Sequence, residues 1–232
     1  MSADAYLSSH PTLKFGGGGS KQLWIAQLLE PVLPAAKDAS ILEIGPGLGE
    51  ALTYLIQSRS YSHVDALDNS PEVIAACRRI QGVNACLAEA DAFLAERPGT
   101  YDLILLYHVL EHFNRESVPV LLRGIRHALR PGGVVVIGVP NAAAPIIGAD
   151  QQYFDFTHQT AFSPWSLEQV LHIAGFDKVE IRPVWPPRGG IARALQRLVQ
   201  QSVLGLMRAY LRVFTGVPRP VLTHSMVAYA WK

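Results

Sequence analysis

Between Ser40 and Val184 the chain repeats one pattern, a short and nearly uninterrupted apolar run followed by a stretch of helical periodicity. The runs are Ser40–Ile44, His63–Leu67, Asn84–Leu87, Asp102–Leu106, Val134–Val139 and Lys178–Val184; the helical stretches are Leu48–Gln57, Pro71–Ile80, Arg115–Leu129 and Ser166–Ala174. A strand without polar alternation is buried on both faces, as happens when helices cover both sides of a parallel sheet. The pattern therefore predicts an α/β fold with a doubly wound sheet. Thr223–Trp231, apolar at both alternating sets of positions, reads as a last strand. In an earlier stretch, Lys21–Leu33, Leu23, Trp24, Leu28 and Val32 recur at helical spacing, and Pro34 stops the pattern.

At 232 residues one such domain suffices, and it is expected over 21–232. Residues 1–20, ending in Gly16–Gly19 and Ser20, are expected to be a flexible segment: a hinge, a lid or a linker. With 49% hydrophobic and 17% charged residues the chain excludes disorder on composition. Cys77 and Cys86 form no CxxC pair and have no histidine at ligand spacing, so neither a disulfide framework nor a structural metal site is expected. The N-terminus lacks a basic start followed by an apolar run, so a cytoplasmic protein is expected. The longest uncharged stretch, Pro131–Ala149, carries three prolines and four glycines and suits a strand and loop, not a membrane span.

The strongest local signal is Ile41-Leu42-Glu43-Ile44-Gly45-Pro46-Gly47-Leu48-Gly49. An apolar strand running into a glycine turn and a helix lets backbone N–H groups approach a ligand without Cβ obstruction, and the helix start adds positive potential. A nucleotide-like ligand is implied. Asp68 ends the next strand 19 residues past Gly49, close to the spacing of roughly 20 at which an acid meets ribose hydroxyls. Asp91 follows the third strand, and Tyr107-His108 follows the fourth. Residues just beyond parallel strand ends line one crevice, so these groups converge there. Asp68 and Asp91 taken singly would also serve as helix N-caps.

With LEIGPGLGE, VDALDNSPEVI, AEADAF, YDLILLYHVLEHF, LRPGGVVVIGVPN and FSPWSLEQVLHIAGF in this order, the chain resembles the class I S-adenosylmethionine-dependent methyltransferases over about residues 21–185 and the final strand. It is similar to the small-molecule branch that acts in quinone biosynthesis or on sugars and lipopolysaccharide. The resemblance implies a Rossmann-like seven-stranded sheet with an antiparallel last strand and a helical insertion before it, over 187–216. It also implies S-adenosyl-L-methionine as cofactor. Glu43 with Gly45, Gly47 and Gly49 would hold its methionine part, and Asp68 its ribose, with Asn69 counted among the cofactor residues. Asp91 would meet the adenine amino group, Ala92 would supply a backbone contact, and Tyr107 would close the methionine end. Ala90 stands where the family often has glycine, and Pro46 stiffens the loop.

The sulfonium methyl is already electrophilic, so the protein supplies alignment, and a base only where the acceptor is a hydroxyl. His108, His112 and His158 are the candidates, because imidazole titrates near neutrality. Asp155 lies close enough in sequence to orient His158, and Tyr153, Phe154, Phe156, Phe162 and Trp165 are candidates for an acceptor wall. No metal ligand set is expected. Function is thus read as O-methylation of a small-molecule, saccharide or lipid-linked acceptor. The alternatives are a cofactor-holding scaffold without transfer and a nucleotide-dependent oxidoreductase; the latter is disfavoured by glycine spacing that is not GxGxxG.

Charge is split: residues 1–180 carry 12 basic and 19 acidic side chains, residues 181–232 carry 8 basic and none acidic. The acidic body, with no target-base motif, speaks against nucleic acid. Gly189–Phe214 reads as an amphipathic helix with Arg193, Arg197, Arg208 and Arg212 on one side and Ile191, Leu195, Leu198, Leu206, Tyr210 and Val213 on the other. Leu204 and Leu211 fall on its polar side, unaccounted for. Two expectations follow from residues 189–214: peripheral contact with the inner face of an anionic membrane, or burial of the apolar side against the body or in a homodimer.

Overall fold

The computed structural model describes residues 18–218 and 221–232; most of the segment expected to be flexible, and Arg219-Pro220 of the last turn, lie outside the described residues. Helix α1 (Gly18–Leu29) precedes β1 (Ser40–Ile44), after which α2 (Glu50–Thr53) widens into a π-type turn over Tyr54–Ser58. Then come β2 (His63–Asp68), α3 (Pro71–Cys77), β3 (Val83–Leu87), α4 (Ala90–Ala95) and β4 (Tyr101–Tyr107). A short 3₁₀ turn at Leu110–His112 leads to α5 (Ser117–Ala128), β5 (Leu129–Pro140), α6 (Gly148–Tyr153) and α7 (Pro164–Ile173). The chain closes with β6 (Lys178–Pro183), α8 (Gly190–Thr215) and β7 (Ser225–Trp231).

The strands form one seven-stranded sheet in the order β3-β2-β1-β4-β5-β7-β6. The first five are parallel, and β7 runs antiparallel between β5 and β6. This is the expected doubly wound architecture with its antiparallel last strand and a helix inserted before it. Strand β5 begins at Leu129, ahead of the expected Val134, because Pro131-Gly132-Gly133 does not break pairing: Gly132 N–H donates to the Lys232 carbonyl at 2.9 Å and Lys232 N–H to that of Gly133 at 3.0 Å.

Strand residues alternate between two buried layers. Leu42, Ile44, Ile104, Leu106, Val135 and Ile137 pack against α4, α5 and α7 through Leu94, Leu121, Ile125, Leu167 and Leu171. Ile41, Leu103, Leu105, Val134 and Val136 pack against α1, α2 and α3 through Leu28, Leu52 and Val73. The connection after β1 goes to one layer and that after β4 to the other, so the neighbouring carboxyl ends of β1 and β4 open a crevice at the switch point.

Helix α8 departs from this packing. None of its residues is buried. The expectation that its apolar side would be covered by the body is overturned: Ile191, Leu195, Leu198, Leu206, Tyr210 and Val213 are all exposed. The half-buried positions are Arg193, Arg197, Gln200, Leu204, Met207 and Leu211, one strip along the opposite side. Leu204 and Leu211 sit on the polar side because that side meets the body.

Candidate active site

The loop after β1 holds three glycines with positive φ, at +68° (Gly45), +54° (Gly47) and +77° (Gly49). Their surroundings assign them different tasks. A Cβ on Gly45 would lie 2.3 Å from Val109 Cγ2, and one on Gly49 2.4 Å from Ile80 Cδ1, whereas one on Gly47 would meet nothing within 4 Å. Gly49, expected at the cofactor, is buried at the start of α2 and does not line the cavity; it lets α2 pack against Ile80. Gly47 opens onto ligand space.

Glu43 is 4% exposed, and its Oε2 is buried without a hydrogen-bond partner. Burial, with the Glu50 charge as second cause, pushes its carboxyl well above the ordinary value, while a hydrogen bond to the Leu52 backbone pulls the other way. Asp68 ends β2 and accepts from the Ser70 N–H at 2.7 Å; burial raises its carboxyl as well. The N-cap of α3 is Ser70, so capping does not account for Asp68. Asn69 reaches across to Glu89 at 3.3 Å. Asp91 and Ala92, expected at the adenine, are exposed in the first turn of α4, directly after Glu89 and Ala90 of the cavity lining.

These groups share one open cavity of about 1250 Å³ along the carboxyl edge of the sheet. Glu43, Gly45, Gly47, Asp68 and Asn69 line it from the ends of β1 and β2, and Tyr107, His108, His112 and His158 line it from the end of β4 and the loop before α7. Burial raises the Tyr107 phenol to about 12, so it is a neutral donor across the physiological range. Of the five aromatics expected to form an acceptor wall, Phe154 and Phe156 line the cavity; Phe162 is in the core, and Tyr153 and Trp165 lie outside the lining.

The three histidines converge on Glu111, a carboxylate that sequence reasoning passed over. Glu111 is 1% exposed, and its Oε1 lies 3.0 Å from His108 Nδ1 and 3.9 Å from His158 Nε2. The His158 ring is further held through Nδ1 by the Gln152 carbonyl at 3.2 Å and stacks edge-on against His112 at 4.9 Å between centroids. His112 Nδ1 meets the Thr157 hydroxyl at 2.8 Å, and that hydroxyl donates to Asp155. Asp155, expected to orient His158, accepts from both the backbone N–H and the hydroxyl of Thr157. His108 adopts φ +57°, a left-handed conformation costly for a side-chain-bearing residue. The signal for Glu111 is its place in His108-Val109-Leu110-Glu111-His112, one helical turn past His108; burial made it matter. His224, whose imidazole is shifted downward by burial and by the His108 charge, lines the same wall from the far end of the chain. No local motif marks it.

Two ligand classes can be weighed against this donor set. The orphaned, buried Glu43 Oε2 and the open space beside Gly47 fit a ligand with a cationic group, and S-adenosylmethionine has one in its α-ammonium. Glu111, His112 and His158 also offer one ligand atom each within 4.8 Å of one another, a borderline N/O set for a divalent ion. The sequence expectation of no metal set came from cysteine spacing, whereas this set is assembled from residues some 45 positions apart.

A glycine loop after β1, an acid ending β2 and β7 set antiparallel beside β5 define the class I methyltransferase architecture. The chain belongs to the methyltransferase domain family, whose description matches residues 21–181. It is 26% identical over 169 residues to a ubiquinone biosynthesis O-methyltransferase of Xylella fastidiosa, spanning 62% of this chain and 65% of that protein. It is 30% identical over 115 residues to a trans-aconitate 2-methyltransferase of Deinococcus radiodurans, spanning 50% and 43%. Its fold is similar to that of a SAM-dependent methyltransferase of Archaeoglobus fulgidus, with TM-score 0.68, 20% identity and coverage of 94% and 95%. A phosphoethanolamine N-methyltransferase of Haemonchus contortus, solved with phosphomonomethylethanolamine and S-adenosylhomocysteine, shares the fold at TM-score 0.65 and 16% identity, over 100% of this chain and 60% of that one.

Proposed function

We propose that the chain uses S-adenosylmethionine to methylate a hydroxyl on a small-molecule acceptor that has an apolar part, in the class of quinone-like, saccharide or lipid-linked compounds. The observation that carries this reading is the pairing within one cavity of a buried acid, Glu43, one of whose oxygens has no hydrogen-bond partner, with an imidazole, His108, backed by a buried carboxylate. The cofactor supplies an electrophilic methyl when bound. Glu43 would hold its ammonium, Asp68 its ribose hydroxyls, and Glu89 and Ala90 would flank the base.

His108 takes the acceptor's proton. Its Nδ1 is held by Glu111, which leaves Nε2 for the hydroxyl and stabilises the imidazolium that forms. Trp24, Ile25, Phe113, Phe154 and Phe156 on the same walls favour an acceptor with apolar surface. His108→Ala should lower turnover about 10²–10⁴-fold with S-adenosylhomocysteine affinity retained. The assay offers methyl-labelled cofactor to fractionated lipid, glycan and soluble metabolite pools. Affinity for S-adenosylhomocysteine with no pool taking up label would leave a cofactor-holding scaffold.

A second reading rests on the orphaned Glu111 Oε2: a divalent ion held by Glu111, His112 and His158 would position the acceptor oxygen. Running the same assay with a chelator separates the two. Unchanged turnover supports the base, and loss restored by a divalent ion supports the metal.

A further inference from the structure

Helix α8 spends 26 residues, about 39 Å at 1.5 Å per residue, on the surface without burying one of them. Its outward face is apolar along its whole length: Ile191 is 90% exposed, Leu206 75%, Val213 81% and Phe214 71%, with Leu195, Leu198, Val199, Val203 and Tyr210 between them. A contiguous apolar face of this extent on a monomer marks a surface that meets something.

The charge around it selects the partner. From residue 181 to the end there are eight basic side chains and no acid. Arg188 is exposed just ahead of the helix, and Arg208 and Arg212 are exposed along it, beside the apolar stripe. Arg193 and Arg197 lean back toward the body, where the Arg197 guanidinium reaches the Pro186 carbonyl and the Trp185 ring. A second copy docking face to face would bring two arginine-bearing helices together, neither of which contributes an acidic side chain of its own. An anionic bilayer meets both requirements at once, with acyl chains for the apolar stripe and headgroups for the flanking arginines.

We infer that α8 is an interfacial anchor that lays the protein on an anionic lipid bilayer. Among the described residues no helix is long and apolar enough to cross a membrane, so the attachment is peripheral and reversible. The root of the anchor is tied to the cavity wall. Gln27 Nε2 donates to the Trp185 carbonyl at 2.9 Å, and Gln27 belongs to α1, whose Trp24, Ile25 and Leu28 line the cavity. Granting the proposed methyl transfer, docking would hold the cavity beside acceptors dissolved in or tethered to the membrane; the docking itself does not depend on that reading.

The test is co-sedimentation of the full chain with phosphatidylcholine vesicles with and without phosphatidylglycerol, at low and high salt. Binding is expected to anionic vesicles at low salt, to weaken at high salt, and to fall about tenfold or more in the Leu206→Asp/Val213→Asp protein and in the Arg188→Gln/Arg208→Gln/Arg212→Gln protein. All these side chains are on the surface, so retained S-adenosylhomocysteine binding and an unchanged circular dichroism spectrum would show that the variants are folded. No binding to anionic vesicles at low salt overturns the proposal, as does binding that survives the aspartates. A dimer in sedimentation velocity that dissociates in Leu206→Asp/Val213→Asp, without vesicle binding, overturns it in favour of a second copy.

Discussion

Glu43 is held nearly dry, with one oxygen unmatched, at the place where a cationic ligand group would sit. Its raised carboxyl has a signed consequence for stability. The unfolded chain gives up this proton near the ordinary carboxylate value, the folded chain only at higher pH, so the folded state binds more protons in between and the apoprotein loses stability as pH rises through that window. Glu43→Gln should flatten this slope and stabilise the apoprotein above the window, while weakening S-adenosylhomocysteine. Chemical denaturation across pH checks the first effect and calorimetry the second. Asp68→Ala should cost about 1.5–3 kcal/mol of cofactor binding through lost bonds to a charged acceptor. Unchanged affinity by calorimetry would remove Asp68 from the ribose.

At the scale of elements, the loop joining β1 to α2 separates three glycines that look equivalent in sequence. Gly45→Ala and Gly49→Ala each drive a methyl to within 2.4 Å of a packed side chain, Val109 or Ile80, at a positive φ. Both should lose about 1–3 kcal/mol of stability, read from denaturant midpoints. Gly47→Ala meets no atom within 4 Å, so it should cost about 1 kcal/mol of backbone strain and chiefly block the cofactor, losing affinity out of proportion to stability. The expected elements were legible because strand burial and helix periodicity are local. Asp91, put at the adenine by the resemblance, lies in the first turn of α4, one residue past Ala90 of the cavity lining.

For the molecule as a whole, a ligand that binds only the folded state adds about 2.7 kcal/mol at a hundred times its Kd. S-adenosylhomocysteine should therefore raise the melting temperature by several degrees, with NAD leaving it unchanged; scanning fluorimetry decides, and the reverse result would return the chain to the oxidoreductase reading. The layered α/β architecture and the glycine loop were legible in the amino-acid order, and Glu43 and Asp68 were candidates there, because apolar runs, turn glycines and an acid at a strand end are set by neighbours in the chain. That order also carried His108, His112 and His158 as candidates. It took the folded chain to bring Glu111 between His108 and His158, to draw in His224 from beyond α8, and to bury Gly49 at the start of α2. Tertiary packing also decided which side of α8 faces outward. An amphipathic pattern specifies that a helix has two faces; which face the body takes depends on what the body offers, and here it takes Leu204, Met207 and Leu211 beside the arginines and leaves the apolar stripe to solvent.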